Sequence, residues 1–145
     1  MPNACTRMTD DQLVMTATND PAQLCLIGEQ VDAFGQRHNL PPKSLFSIKL
    51  ALSELLANTI TYGYADEATH TIEIRLELHG GQLNLEIIDD ARPFDPRRVK
   101  PPKKKGALKD LPLGGRGIHL VRSHVDDFAY QRKRGRNHVT VTKIL

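Results

Sequence analysis

The 145-residue chain has only two cysteines, Cys5 and Cys25. They make neither a metal-ligand spacing nor a disulfide framework, and Cys25, on an expected helix, reads as a small buried hydrophobe. Aromatic residues are 5% of the chain, and no reading helix is evident, which argues against a direct nucleic-acid interface. No apolar run approaches the roughly 18 residues of a membrane span, and the first residues lack an apolar signal core. The expectation is a cytoplasmic protein with no membrane partner. There is no Gly-x-x-x-x-Gly-Lys-Ser/Thr, hence no P-loop. His-Glu-x-x-His is also missing, and His119 and His124 are five apart, off a common helix face, so they read as surface or structural histidines, not zinc ligands. Gly115-x-Gly117 has Leu120 where a dinucleotide fingerprint needs its third glycine, and it follows a loop, not a strand. No Ser, His and Asp set stands out as a triad.

What is present fits one domain of a soluble kind. Apolar residues are 39% and charged residues 26%, and the length allows a real core. The net charge is +3, unevenly placed: Arg97 to Lys109 holds seven Lys or Arg and no acid, and Arg132, Lys133, Arg134 and Arg136 form a second cluster. These are solvated loops or a surface for an anionic ligand or acidic partner.

Residues 1–10 are polar and expected to fray. Leu13, Val14 and Met15 suggest a short strand. Asn19-Asp20-Pro21 signals a helix start, and Leu24, Ile27, Val31 and Phe34 continue at helical spacing to about His38. After Leu40-Pro41-Pro42, Leu45, Ile48, Leu52, Leu55, Leu56 and Thr59 form the stripe of a long helix from about Lys43 to Tyr62, with Gly63 as its stop. Glu54 and Asn58 stack one turn apart on a different face of that helix. They could present two oxygens to a hydrated metal ion or to a water awaiting deprotonation, or could simply face solvent.

Ile72–Leu78 alternates apolar and charged residues, the period of a sheet with one wet face. His79-Gly80-Gly81-Gln82 reads as a hairpin turn. The next strand places Leu83, Leu85 and Ile87 inward, and one further step brings Asp89 to the buried side. A carboxylate there needs donors. They could come from a ligand, or from the turn that Asp89-Asp90-Ala91-Arg92-Pro93 would make. Residues 91–113 hold five of the nine prolines and read as a long loop. Leu113-Gly114-Gly115-Arg116-Gly117 then leads into a helix from Ile118 to about Val125. Amides at a glycine-rich helix start lack intrahelical acceptors and suit an anion. Two strands, near Phe128–Arg132 and His138–Ile144, close the chain around Gly135.

A Glu/Asn helix, an acid ending a strand, a basic loop and a glycine-rich helix start occur in that order. The set resembles the Bergerat-fold, histidine-kinase-like ATPases, and within them the bacterial anti-sigma-factor serine kinases. Ser53–Tyr64 is similar to that family's N box, Asp89–Pro96 to its first glycine box and Gly114–Val121 to its second. The resemblance runs from about Leu13 to Ile144. It implies an α/β sandwich of α+β type over residues 1–145: a mixed, largely antiparallel sheet of four or five strands with three helices on one face. By the resemblance the cofactors are ATP and Mg²⁺, with Glu54 the general base, Asn58 the metal ligand and Asp89 the acceptor for the adenine amino group. Gly115 and Gly117 wrap the phosphates, and residues 97–113 are the lid. Ala91, Phe94, Gly114, Arg116 and Ile118 complete the nucleotide-binding boxes. The family usually has glycine where Ala91 stands, and a methyl there could crowd the pocket or restrict the turn. The implied function is phosphorylation of a serine or threonine on an anti-anti-sigma antagonist, together with sequestration of a sigma factor by a homodimer. The alternative is a regulatory module that binds ATP, or nothing, and acts by docking alone.

Overall fold

Leu13, Met15 and Ala17 point inward from strand β2 (Gln12–Thr18), each separated by a half-exposed residue. The same period of two buries Ile72, Ile74 and Leu76 in β3 (Thr71–His79) and Leu83, Leu85 and Ile87 in β4 (Gln82–Asp89). The computed structural model describes residues 5–98 and 113–145, except the side chains of Cys5 and of residues 113–116. Its sheet has six strands, with β1 (Cys5–Met8), β5 (Asp127–Lys133) and β6 (Arg136–Ile144) completing the order β1-β2-β3-β4-β6-β5. Every pair is antiparallel, so the expected mixed, largely antiparallel sheet of four or five strands is larger and antiparallel throughout the described residues. Both tight hairpins use two residues at positive φ, Gly80-Gly81 (58° and 74°) and Arg134-Gly135 (53° and 76°). That backbone matches the right-handed twist of the flanking strands.

β1 lies where fraying was expected. Its residues pair with β2 from Cys5↔Thr16 to Met8↔Leu13, and Thr9 N–H closes the turn on the Gln12 carbonyl at 2.8 Å. An edge strand is held chiefly by ladder bonds to its neighbour, which leave little mark in the polarity of the segment.

Helix α1 (Gln23–Arg37) begins later than the Asn19-Asp20-Pro21 signal suggests. Asn19 is used elsewhere: its amide donates to the Ala68 carbonyl at 3.2 Å and its oxygen accepts from His70 N–H at 2.9 Å. Asp20 instead accepts from Ala22 N–H at 2.9 Å, a local turn. Ile27, Val31 and Phe34 make the buried stripe. Cys25 is exposed, a correction to the expected buried hydrophobe. It stands two residues, or about 200°, from Ile27 on the far side of the helix.

Helix α2 (Pro42–Tyr62) buries Ile48, Ala51, Leu52, Leu55 and Leu56, while Leu45 is only partly covered and Thr59 turns to another task. Gly63 ends the helix with its N–H on the Thr59 carbonyl at 2.8 Å, but at φ −79°. Glycine is needed here for space: a Cβ would lie 2.5 Å from the Thr59 carbonyl oxygen and 2.8 Å from the Ala91 methyl. Helix α1 packs on β2 and α2, α2 reaches β6, and helix α3 (Leu113–His124) lies across α2. The opposite side of the sheet carries the polar set Glu73, Arg75, Glu86 and His138, with Arg75 within 3.0 Å of Glu73 and 3.8 Å of Glu86.

Candidate functional site

The alternation of β4 carries Asp89 into the protein, where only 4% of its surface is exposed. One carboxylate oxygen accepts from the Asn137 amide at 2.8 Å and from Ala91 N–H at 3.1 Å; the other accepts from the Thr59 hydroxyl at 3.3 Å. The two sequence readings of Asp89 are therefore compatible, since it faces inward and also holds its own turn. Burial pushes its carboxyl above the usual carboxylate range, and the donors from Asn137, Ala91 and Thr59 pull it back in part.

Asn137 is the main residue that the sequence reading misses. It sits opposite Asp89 in the β4–β6 ladder, 4% exposed. Its amide also donates to the Arg92 carbonyl at 3.0 Å, and its oxygen accepts from the Tyr130 hydroxyl at 2.6 Å. Stepping back by twos from Val141 and Val139 reaches Asn137, so the alternation marks it as inward, but the expected strand starts one residue beyond it. Arg132, assigned by sequence only to a charge cluster, donates to the Ala91 carbonyl at 2.7 Å. Arg92 reaches back to the Tyr62 carbonyl at the end of α2. Ala91 is buried, with its methyl against Gly63, and it is not among the residues at positive φ. The turn therefore takes alanine without left-handed strain. Phe94 is 41% exposed at the rim.

Glu54 and Asn58 stand one turn apart on α2, both half-buried, on the side that α3 crosses. Neither side chain makes a hydrogen bond to another described residue. Thr59, next to Asn58, is rotated by about 100° and so reaches Asp89, which ties the two ends of the site to one helix. The second glycine box differs from expectation. Helix α3 starts at Leu113, so Gly114, Gly115 and Arg116 lie within its first turns instead of leading into it, and the first amides of that turn lack intrahelical acceptors. Gly117 is buried against Glu54. The side chain of Ile118 is 1% exposed and anchors α3. Most of the lysine-rich loop, residues 99–112, lies outside the described residues; Arg97, before it, pairs with Asp95 at 2.8 Å.

No group of three or more His, Cys, Asp or Glu among the described residues is placed to hold a metal ion. The uncommitted Asn58 oxygen does suit Mg²⁺, which keeps several waters and takes few protein ligands beside phosphates. His124 is engaged with the Leu120 carbonyl at 2.8 Å, in keeping with a structural role.

A second cluster adjoins Asp89. His70 stacks on Tyr64 with ring centroids 4.0 Å apart, and its two nitrogens meet Asp66 at 2.7 Å and Asp90 at 3.2 Å. Hydrogen bonding to Asp66, and then to Asp90, raises the His70 pKa above its ordinary value. The Tyr64 hydroxyl is driven well above its usual range by burial first and by Asp89 and Asp90 next. On the helix-free side of the sheet a cleft of about 450 Å³ opens here, lined in part by His70, Glu73, Ile88, Asp90 and Arg136.

Comparison with known proteins agrees with this architecture. Residues 17–143 match the histidine kinase-like ATPase domain. The chain is 29% identical over 97 residues to the serine/threonine-protein kinase BtrW of Bordetella bronchiseptica, covering 67% of this chain and 68% of that one. It is 22% identical over 129 residues to the serine-protein kinase RsbW of Oceanobacillus iheyensis, covering 86% and 82%. Over 89 residues it is 25% identical to the anti-sigma F factor of Clostridium botulinum, covering 60% and 61%. No helix among the described residues is long and apolar enough to cross a membrane. With 17–143 matched on an antiparallel sheet and three helices, the chain belongs to the histidine kinase-like ATPase family.

Proposed function

We propose that this protein is an ATP-dependent serine/threonine kinase of the anti-sigma type, acting in the cytoplasm as a homodimer. It phosphorylates an antagonist protein and sequesters a sigma factor. The observation that carries the reading is the uncommitted Glu54–Asn58 pair beside Thr59, which reaches the buried Asp89. In this reading Asp89 accepts from the adenine amino group, its burial making it selective for a donor-bearing edge. Ala91, Phe94 and Ile118 border the base and sugar, and the backbone of Gly114, Gly115, Arg116 and Gly117 meets the phosphates. Asn58 is the protein ligand for Mg²⁺, which when bound supplies charge neutralisation on the phosphate oxygens. Glu54 takes the proton from the acceptor hydroxyl. Phosphoryl transfer asks little covalent work of a protein, so positioning and one base suffice. The names of the relatives, two protein kinases and an anti-sigma factor, support the same reading.

Ala91 is the reason to consider a docking-only module. Its methyl rests against Gly63 in a turn free of positive φ, which removes much of that objection. The test is incubation with radiolabelled ATP, Mg²⁺ and a candidate antagonist protein. Label should pass to the antagonist, and Glu54→Ala should slow transfer by roughly 10²–10⁴-fold while ATP still binds. Failure of the unmodified protein to transfer label rejects the kinase in favour of docking alone.

A further inference from the structure

Gly117 is buried where α3 crosses α2. A Cβ at this position would fall 3.1 Å from Glu54 Cγ and 2.5 Å from its Cδ, with Oε2 nearer still. Non-bonded carbons settle at about 3.5–4.0 Å, so the volume of the missing side chain is the volume that the Glu54 carboxylate fills. The backbone conformation here does not itself ask for glycine. Its φ is not in the left-handed region, and alanine is the better helix former.

We infer that Gly117 is a positioning residue for Glu54: it leaves the recess that seats the carboxylate against α3. Glu54 has no hydrogen bond to another described residue, so packing sets where its carboxylate stands. On one side it is held by α2; on the other is the Gly117 backbone, fixed by the buried Ile118 and Val121. The carboxylate is the free end of a flexible side chain, so a methyl at this position would not break the fold but would swing that end away. The consequence for catalysis rests on the proposed role of Glu54 as base. A carboxylate displaced by about 1 Å can lower turnover on the order of 10²-fold. Helix α3 would then both present its first-turn amides to the nucleotide and set the base, so one rigid element couples the two.

The test compares Gly117→Ala, Glu54→Asp, Glu54→Ala and the two double variants that carry Gly117→Ala with the unmodified protein. Melting temperatures without nucleotide read the contact itself. Gly117→Ala should raise the melting temperature more in the Glu54→Ala background than with Glu54 present, because only the intact carboxylate crowds the new methyl. Equal effects in the two backgrounds would overturn the inference. If Gly117→Ala alone fails to fold, recovery with Glu54→Ala supports the inference and failure of both overturns it. Transfer of label from radiolabelled ATP to the antagonist, with Mg²⁺ present, is the second measurement. Gly117→Ala should lower turnover at saturating ATP on the order of 10²-fold, a larger loss than any in ATP affinity. The shorter Glu54→Asp should cost less in the Gly117→Ala background than with Gly117 in place. Affinity falling in step with turnover, or losses that simply multiply, would show that the glycine acts on the phosphates instead. If the unmodified protein transfers no label, the kinase reading fails, and the melting temperatures still decide the Gly117–Glu54 relation.

Discussion

Asn137 satisfies Asp89 and Tyr130 at once, so its loss leaves a buried carboxylate and a half-buried hydroxyl each short of a partner. Asn137→Ala should cost about 1–3 kcal/mol, measured by urea unfolding. It also removes the foremost donor that restrains the Asp89 carboxyl, whose pKa should move further up. A carboxyl raised in the folded state favours the protonated native form, so the extra loss should grow as pH rises from below the usual carboxylate range through the raised value. His70 gives the opposite sign. Its folded pKa is raised by Asp66 and Asp90, so its contribution is full below its ordinary value near 6.5 and fades as pH climbs through the higher folded one. The melting-temperature gap between the unmodified protein and His70→Gln should therefore be widest at mildly acid pH and close at alkaline pH. A gap constant across that range would refute the role of the Asp66–His70–Asp90 bridge. This bridge is not read from the sequence: the β3–β4 register brings His70 beside Asp90, but Asp66 reaches them only through the irregular connection that follows α2.

Element by element, legibility follows period. Helix α2 and strands β3 and β4 repeat their pattern over enough residues to fix both type and inward face, and carrying the β4 pattern one step further finds Asp89. Where tertiary bonds decide, the local signal misleads: Asn19 leaves the head of α1 to bind the 68–70 backbone, and β1 depends on its ladder with β2. Glu54, Asn58 and the glycines are readable as boxes, but the Gly117–Glu54 contact needs the crossing of α3. The end of α2 shows how closely elements meet. Gly63→Ala should destabilise the protein by about 1–3 kcal/mol through overpacking, seen as a lower urea midpoint. Adding Ala91→Gly should recover only part, because the Thr59 carbonyl remains in the way.

At the scale of the whole molecule, a ligand that binds only the native state stabilises all of it by mass action. ATP with Mg²⁺ at about 100 times its Kd should add about 2.7 kcal/mol, visible as a higher melting temperature. No shift at millimolar ATP would sink the nucleotide reading. The site itself hangs on one rod, since Glu54, Asn58 and Thr59 all belong to α2 and only Thr59 turns towards Asp89. That rod advances about 1.5 Å and turns about 100° per residue. A one-codon insertion between Glu54 and Asn58 would therefore swing one of them to another face even if every side chain were kept. On the proposed roles of Glu54 and Asn58, descendants of this gene can exchange outward residues such as Ser53 freely, but cannot change the length of that interval. Drift in spelling is open to them here, and drift in spacing is closed.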